Sequence, residues 1–555
     1  MHVRRFVVTW LFVACGSSAN GAPDEGATPN GENPPAPTTP SDADAGDGAA
    51  EEPAPEEPGA DVPYDHAIQK SVHNAYERFE PLIDQLVYHR VRSLELDIHV
   101  RREGAAAPAG EWFVYHEDRP LMRTTSCARL SDCLGQLAAF HAAIPRHEVV
   151  TVFVDLKDGF EDGHQPADLD RAFTKALGRG AIVAPVDLLA ACPGASTLRE
   201  AVTGACSFPT LRALRGKFLL VTTGGTSCDT ASPVARYGGD DPRSRLAFVA
   251  PNVSGSCTVA SYDARPDVVF FNMPLAERAR ATEVVNRSLV ARIYGGRSQG
   301  GLDTPADFAA ARQAGAVHLA TDKVNFEQDT WAATHSPKGF PFTCEGCGGD
   351  LVEPGPILGL LANSGDQFGQ TDSAFFAWEQ GTGDAVYRAL VSVPSSHVES
   401  FAKACLVARA SEDAGAANVA VCRTFDNHAP RAQVRPAPGA ATTSTDAPPF
   451  TGVTVEVPAF LRLAVEAAGP GTKVTASASI DGKTWSTITM TTLGVALPFR
   501  GVSVSSHGSG TVRGLFANLV REDANGKKTI TAAMLEHKAI GSSSTGRAFD
   551  GVFPP

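Results

Sequence analysis

Between residues 64 and about 342, short apolar segments of strand length alternate with longer segments of helical period, and this alternation limits the chain to few folds. Strands are expected at 68–73, 92–99, 112–116, 149–156, 217–223, 268–272, 290–294 and 317–321, with a ninth strand-like segment at 246–250. Helical segments are expected at 79–89, 130–144, 167–177 and 305–314. Strands joined through helices pair in parallel, and eight such units close into a TIM-type (β/α)8 barrel. From about residue 350 the texture becomes all strand: 385–393, 403–408, 419–424, 459–466, 473–480, 484–490, 499–505 and 514–521. Asp481-Gly482 between two alternating runs is a hairpin signal. This half reads as an all-β antiparallel sandwich. At 555 residues the chain exceeds what one core organises. The expected plan is a barrel over 64–345, a sandwich over 350–540 and a tail over 541–555. The two halves are expected to fold independently, so that a chain ending near residue 350 keeps its activity.

The N-terminus speaks to compartment. Arg4 and Arg5 precede an apolar run over 6–14, too short to span a bilayer, which reads as a signal peptide. It ends Leu11-Phe12-Val13-Ala14-Cys15-Gly16, which resembles a bacterial lipobox with a less usual Phe12. Cys15 would take a diacylglycerol, making 1–15 the signal and the protein an exported outer-membrane or cell-surface lipoprotein. A secreted soluble protein is the alternative. Residues 16–63 are rich in Pro, Ala, Glu and Asp and bury too little to fold, so they read as a disordered tether with a reach on the order of 35 Å. Removing the eleven carboxylates between Gly21 and Pro63 takes the net charge from −14 to −3, so nothing favours a nucleic acid partner. Setting Cys15 aside leaves ten of the eleven cysteines, an even number. Neighbours in sequence suggest the disulfides Cys127–Cys133, Cys192–Cys206, Cys228–Cys257, Cys344–Cys347 and Cys405–Cys422.

The chemistry begins at Leu94-Glu95-Leu96-Asp97-Ile98-His99. Strand alternation puts Glu95, Asp97 and His99 on one face. Two carboxylates on one buried face repel each other and lose solvation, and they stay ionised only if a cation or strong donors lie between them; an oxygen-rich pair suits calcium or magnesium. The other expected strands end at His73-Asn74, at His116, and at Asp155 with Lys157 two residues on. Barrel enzymes build their sites at that end of the strands. Two imidazoles suit general acid and base work, and the oxygen ligands suit a hard divalent cation. His99, His147 and His164 read as structural, and Lys217 as a snorkelling side chain.

Ser71-Val72-His73-Asn74-Ala75-Tyr76, Leu94-Glu95-Leu96-Asp97 and Val114-Tyr115-His116 together resemble the phosphoinositide-specific phospholipase C superfamily, in particular its bacterial calcium-dependent branch. The pattern continues through Pro145-Arg146-His147, Asp155-Leu156-Lys157-Asp158, Leu214-Arg215-Gly216-Lys217 and Thr321-Asp322. The resemblance covers about residues 64–324. It implies that His73 helps activate an inositol 2-hydroxyl and that His116 protonates the departing diacylglycerol oxygen. It implies that Asn74, Glu95, Asp97 and Asp155 bind calcium, and that the first product is a cyclic phosphodiester. Lys157 and Arg292 would meet the substrate. Two departures bear on head-group recognition: Asp155 stands where the family often has Glu, and only Arg292 stands where it often has an arginine pair.

Segments 401–409, 479–485 and 501–507 look like a concanavalin-like jelly roll, a module that in some secreted enzymes binds a glycan and in others only supports its neighbour. The expected partners are a phospholipid substrate, a membrane through the anchor, and in some readings a glycan at the sandwich. A glycerophosphodiester phosphodiesterase is the alternative enzyme, although its opening His-Arg-Gly is absent here. An inactive surface-anchored binding protein is the alternative from another class.

Overall fold

The computed structural model describes residues 61–551 except 120–124, 205, 226–227, 297–299, 326–328, 330, 332–341, 344–355, 364, 395–399, 426–428, 449–459, 509 and 542–544. Eight parallel staves form the barrel: β1 (Ile68–Val72), β2 (Ser93–His99), β3 (Val150–Leu156), β4 (Phe218–Thr223), β5 (Phe248–Val249), β6 (Phe270–Pro274), β7 (Val290–Tyr294) and β8 (His318–Thr321). Each pairs with the next in chain order except β5 with β6, and β8 returns to β1. The ring closes between β5 and β6 through the bridge Asn252↔Asn272, where the Val253 amide donates to the Asn272 carbonyl at 2.9 Å. Flanking helices open on proline, as at Pro166–Leu177, Pro233–Gly238 and Pro305–Gln313, where a missing N–H costs nothing.

Two sequence expectations change places here. The 112–116 segment is not a stave: Phe113–Val114 runs antiparallel on the end of β2, with Val114 opposite Ile98. The ninth segment, 246–250, supplies the fifth stave instead. Both are short and apolar, so periodicity cannot tell a stave from a hairpin arm. The helix expected over 79–89 shrinks to α1 (Leu82–Val87), because Pro81 takes the position before its first turn.

The second half is a sandwich of two antiparallel sheets. In chain order its main strands are β9 (Ile357–Asn363), β10 (Ala374–Gln380), β11 (Ala385–Ser392), β12 (Lys403–Arg409), β13 (Asn418–Thr424), β14 (Arg431–Arg435), β15 (Thr443–Asp446), β16 (Phe460–Ala468), β17 (Gly471–Ser479), β18 (Ser486–Leu493), β19 (Phe499–Ser505), β20 (Thr511–Asp523), β21 (Glu536–Ile540) and β22 (Thr545–Asp550). One sheet runs β18-β17-β16-β11-β20-β9-β22 and the other β15-β14-β13-β12-β19-β10-β21. Leu360, Leu406, Val421, Val465, Val504 and Phe516 are among the side chains that fill the space between them. The segment expected as a tail carries β22, which pairs along the whole of β9 up to Leu358↔Asp550.

Barrel and sandwich share a core. Ile357, Leu390, Phe460, Leu515 and Ala517 of the sandwich pack into the same buried cluster as the barrel's helices and staves. Across this contact Arg423 makes a bidentate pair with Asp84 on α1, at 2.7 and 3.0 Å, and both groups are buried. The expectation of two independently folding halves therefore meets a joint of core character, a continuous apolar cluster with a desolvated ion pair inside it.

Cys127–Cys133, Cys192–Cys206, Cys228–Cys257 and Cys405–Cys422 are disulfides. Such a set belongs to an oxidising compartment. Cys344 and Cys347 lie outside the described residues, as do Cys15, the lipobox and residues 16–60 of the expected tether; its last residues, 61–63, lie on the barrel, where Pro63 bridges Thr210 and Arg212 donates to Asp61 at 3.0 Å. No helix among the described residues is long and apolar enough to cross a membrane.

Candidate active site

Register brings the carboxylates together. In the parallel pairing of β2 and β3, Asp97 lies opposite Asp155, and Glu95 is one pleat earlier on the same face as Asp97. Their oxygens converge to within 4.8 Å of one another. The loop after β4 closes over Asp155 at Gly224, where φ is +134° and a Cβ would stand 2.7 Å from the Leu156 carbonyl oxygen. Only glycine fits that approach.

Each expected histidine is backed by a carboxylate through Nδ1. His73 follows β1 and sits 3.0 Å from Asp322 Oδ1 at the end of β8, with its Nε2 3.9 Å from Glu95 Oε2. Its ring stacks on Tyr294, nearly parallel, at 6.5 Å. His116 follows the hairpin arm and sits 3.1 Å from Asp97 Oδ2. Burial presses the His73 pKa down, but Glu95 and Asp322 outweigh it and the net direction is up. The hydrogen bond to Asp97 raises His116 against a smaller desolvation penalty. Burial pushes Asp97 up, yet Lys157 and His116 overcome it and hold the carboxyl at about 2. Asp155 goes the other way, raised by burial and by the nearby Asp97 and Glu95 charges despite Lys157.

Asn74 takes the left-handed conformation, φ 48° and ψ 59°, which Asn tolerates better than most residues. That turn aims its backbone N–H at Glu95 Oε2, 3.2 Å away, and sets its side-chain amide 3.2 Å from His116 Nδ1 and 3.0 Å from Glu77 Oε2, to which it donates.

The two basic groups expected to meet substrate are committed to these carboxylates. Lys157 Nζ lies 2.9 Å from Asp97 Oδ2 and 2.7 Å from Asp155 Oδ2. Arg292 is buried, 2.6 Å from Glu95 Oε2, and donates to Asn272 Oδ1 at 2.8 Å. Asn272 continues the chain to Asn252 Oδ1 at 2.5 Å, and Asn252 to the Gly225 carbonyl at 2.5 Å. Arg292 is therefore held within the barrel behind the site and is not among the residues that line its cavity.

Three carboxylates against two side-chain cations leave one negative charge. Asp97 Oδ1 is buried and has no hydrogen-bond donor among the described residues. An orphaned carboxylate oxygen among convergent oxygen donors fits a hard divalent cation.

The site opens into a cavity of about 500 Å³ whose lining includes His73, His116, Glu95, Asp155, Lys157, Tyr294, Asn252 and Asn272. That volume lies within the range of sites for small molecules. Three of the histidines set aside in the sequence make structural contacts. His99 stacks on Tyr115 at 3.9 Å and meets Asp158, His147 bonds the Glu148 carbonyl, and His164 bridges the Glu161 and Glu111 carbonyls. Asp322 is the residue the sequence reading missed. Its signal was present, since Thr321-Asp322 ends a stave as Asp155 does, but its partner is 249 residues away.

No family model matches the chain, and no curated protein matches it. Among solved structures it is similar to a calcium-dependent phosphoinositol-specific phospholipase C from a Gram-negative Pseudomonas sp., at 22% identity over 52% of this chain and 97% of that one, with a TM-score of 0.43. It is also similar to a calcium-dependent phosphatidylinositol-specific phospholipase C from Streptomyces antibioticus, at 23% identity over 48% and 96%, with a TM-score of 0.39. The carbohydrate-binding module CBM66 from Bacillus subtilis matches at 11% identity over 27% and 95%, with a TM-score of 0.17.

Proposed function

We propose that this protein is a phosphodiesterase that cleaves phosphatidylinositol-type lipids, releasing diacylglycerol and a cyclic inositol phosphate. The observation that carries this reading is the pair of carboxylate-backed imidazoles on one cavity with three convergent carboxylates beside them. The inositol head group comes from the sequence resemblance. Lipid modification of Cys15 would keep such an enzyme at a cell surface.

With Nδ1–H donated to Asp322, His73 presents an Nε2 lone pair that accepts the proton of the substrate 2-hydroxyl. The freed oxygen attacks the phosphorus of the same molecule, which needs no external nucleophile and gains from proximity. The bond from phosphorus to the diacylglycerol oxygen breaks as that oxygen takes a proton from His116 Nε2. Asp97 holds the imidazolium of His116 through Nδ1. Glu95, Asp97 and Asp155, with Asn74 beside them, would hold calcium, which when bound stabilises charge on the phosphoryl oxygens.

The test is release of water-soluble phosphate from phosphatidylinositol and from glycerophosphodiesters, with and without a calcium chelator. Calcium-dependent release from phosphatidylinositol alone is expected, and Asp97→Asn should abolish it as chelation does. Release from glycerophosphodiesters alone would replace the lipid reading with the alternative enzyme. Full activity in excess chelator would remove the cation from the mechanism.

A further inference from the structure

We propose that the sandwich is a working part of the active site: Arg423 is a positioning residue that acts through Asp84 and Gln85 on the loop carrying the His73 machinery. The catalytic naming of that loop rests on the function proposed above. The chain of contacts begins at the loop after β1. Arg78 lies in it, with Nη1 3.1 Å from Asp322 Oδ1 and Nε donating to the Asn74 carbonyl at 3.3 Å. One guanidinium thus fixes both the carboxylate behind His73 and the left-handed turn at Asn74.

The loop is held in turn by Gln85 of α1. Its buried Nε2 donates to the carbonyls of Ala75 and Glu80, each at 2.7 Å. Where Gln85 stands is where the loop stands. But α1 has only six residues and no side-chain N-cap, so its own turns cannot hold it in place. Its position is set from outside: on the barrel side Arg92 donates to the Leu86 carbonyl at 2.8 Å, and on the sandwich side the anchor is Asp84, the residue before Gln85. All the described donors to the Asp84 carboxylate come from the sandwich: Arg423 at 2.7 and 3.0 Å and Ser392 Oγ at 2.6 Å. Arg423 also donates to the Val391 carbonyl at 3.1 Å, which locks the fork to β11. A planar guanidinium on a carboxylate fixes angle as well as distance, which a lysine does not. Two buried links, Arg423 to Asp84 and Gln85 to the Ala75 carbonyl, therefore run from β13 to the Asn74 turn.

The test uses the full chain. Removing Arg423 alone would strand a buried carboxylate, so the pair is changed together as Asp84→Asn with Arg423→Met, and Gln85→Met is made separately with the pair intact. Folding is checked by circular dichroism and melting. The readouts are hydrogen–deuterium exchange of peptides spanning 74–88, with β2 peptides as control, and kcat and KM on a soluble inositol phosphodiester. Folded variants should exchange faster over 74–88 and not in β2, with kcat down about 10-fold to 100-fold at unchanged KM, since small misplacement of catalytic groups costs that much. Arg423→Lys should fall short of wild type. Unchanged exchange and unchanged kcat in the folded double variant would overturn the proposal. If the double variant does not fold, Gln85→Met decides by the same two readouts. If the wild type cleaves no phosphodiester, the function proposed above fails, and exchange alone still tests the link.

Discussion

His73 and His116 differ in what they face, and that difference is measurable. In the mechanism proposed above, His116 serves the leaving group. An alkoxide of high pKa needs its proton, worth typically about 10²–10⁴-fold, while a phenolate-type group does not. His116→Ala should cripple cleavage of phosphatidylinositol yet spare much of the rate on an inositol phosphate ester with a good leaving group. His73→Ala should damage both. Equal losses in His116→Ala would remove the acid assignment, and a selective loss in His73→Ala would reverse the two roles. At this scale the sequence named both histidines and all three clustered carboxylates, because each lies in or directly after a short apolar strand, whether stave or hairpin arm. It did not reveal that Lys157 and Arg292 would be bound to those carboxylates. That depends on β3 and β7 each lying beside groups from distant parts of the chain.

Several elements of the barrel carry histidines that fold neutral. His147, before β3, is driven down to about 3 by burial, and His318 in β8 and His89 after α1 are pushed well below the ordinary value by the same cause. A depressed folded pKa gives stability that is full above the unfolded value of about 6.5. It is lost as pH falls, at about 1.4 kcal/mol per pH unit for each histidine. His73 and His116 are raised and act in the opposite sense, but only above about 6.5; below it they are protonated in both states and add no slope. The melting temperature should therefore fall between pH 7 and pH 5.5, well before most carboxylates titrate. A flat melting temperature over that interval would show that these histidines are solvated or protonated in the folded protein. Element type was legible for most strands of both halves, and the errors are instructive. The segments at 112–116 and 246–250 are equally apolar and equally short. Only the position of neighbouring staves makes one a hairpin arm and the other part of the ring.

At the scale of the whole molecule, the joint between barrel and sandwich bears on the expected domain border. A switch from alternating to all-strand texture near residue 350 reads as a border between independent domains. The shared apolar cluster and the Asp84–Arg423 pair predict otherwise. A chain ending near residue 350 should melt well below the full protein and lose most of its activity on soluble substrate. A soluble truncated chain with full kcat and an unchanged melting temperature would restore the independent reading. Local pattern determined the two architectures and put the candidate site residues at strand ends, and short separations along the chain suggested the four disulfides that the described residues contain. Tertiary structure alone decided three things: that Asp322 stands behind His73, that cations already sit among the carboxylates, and that β13 braces α1 across 339 residues. Each joins groups whose separation along the chain leaves no periodic trace, so only packing could bring them within hydrogen-bonding distance.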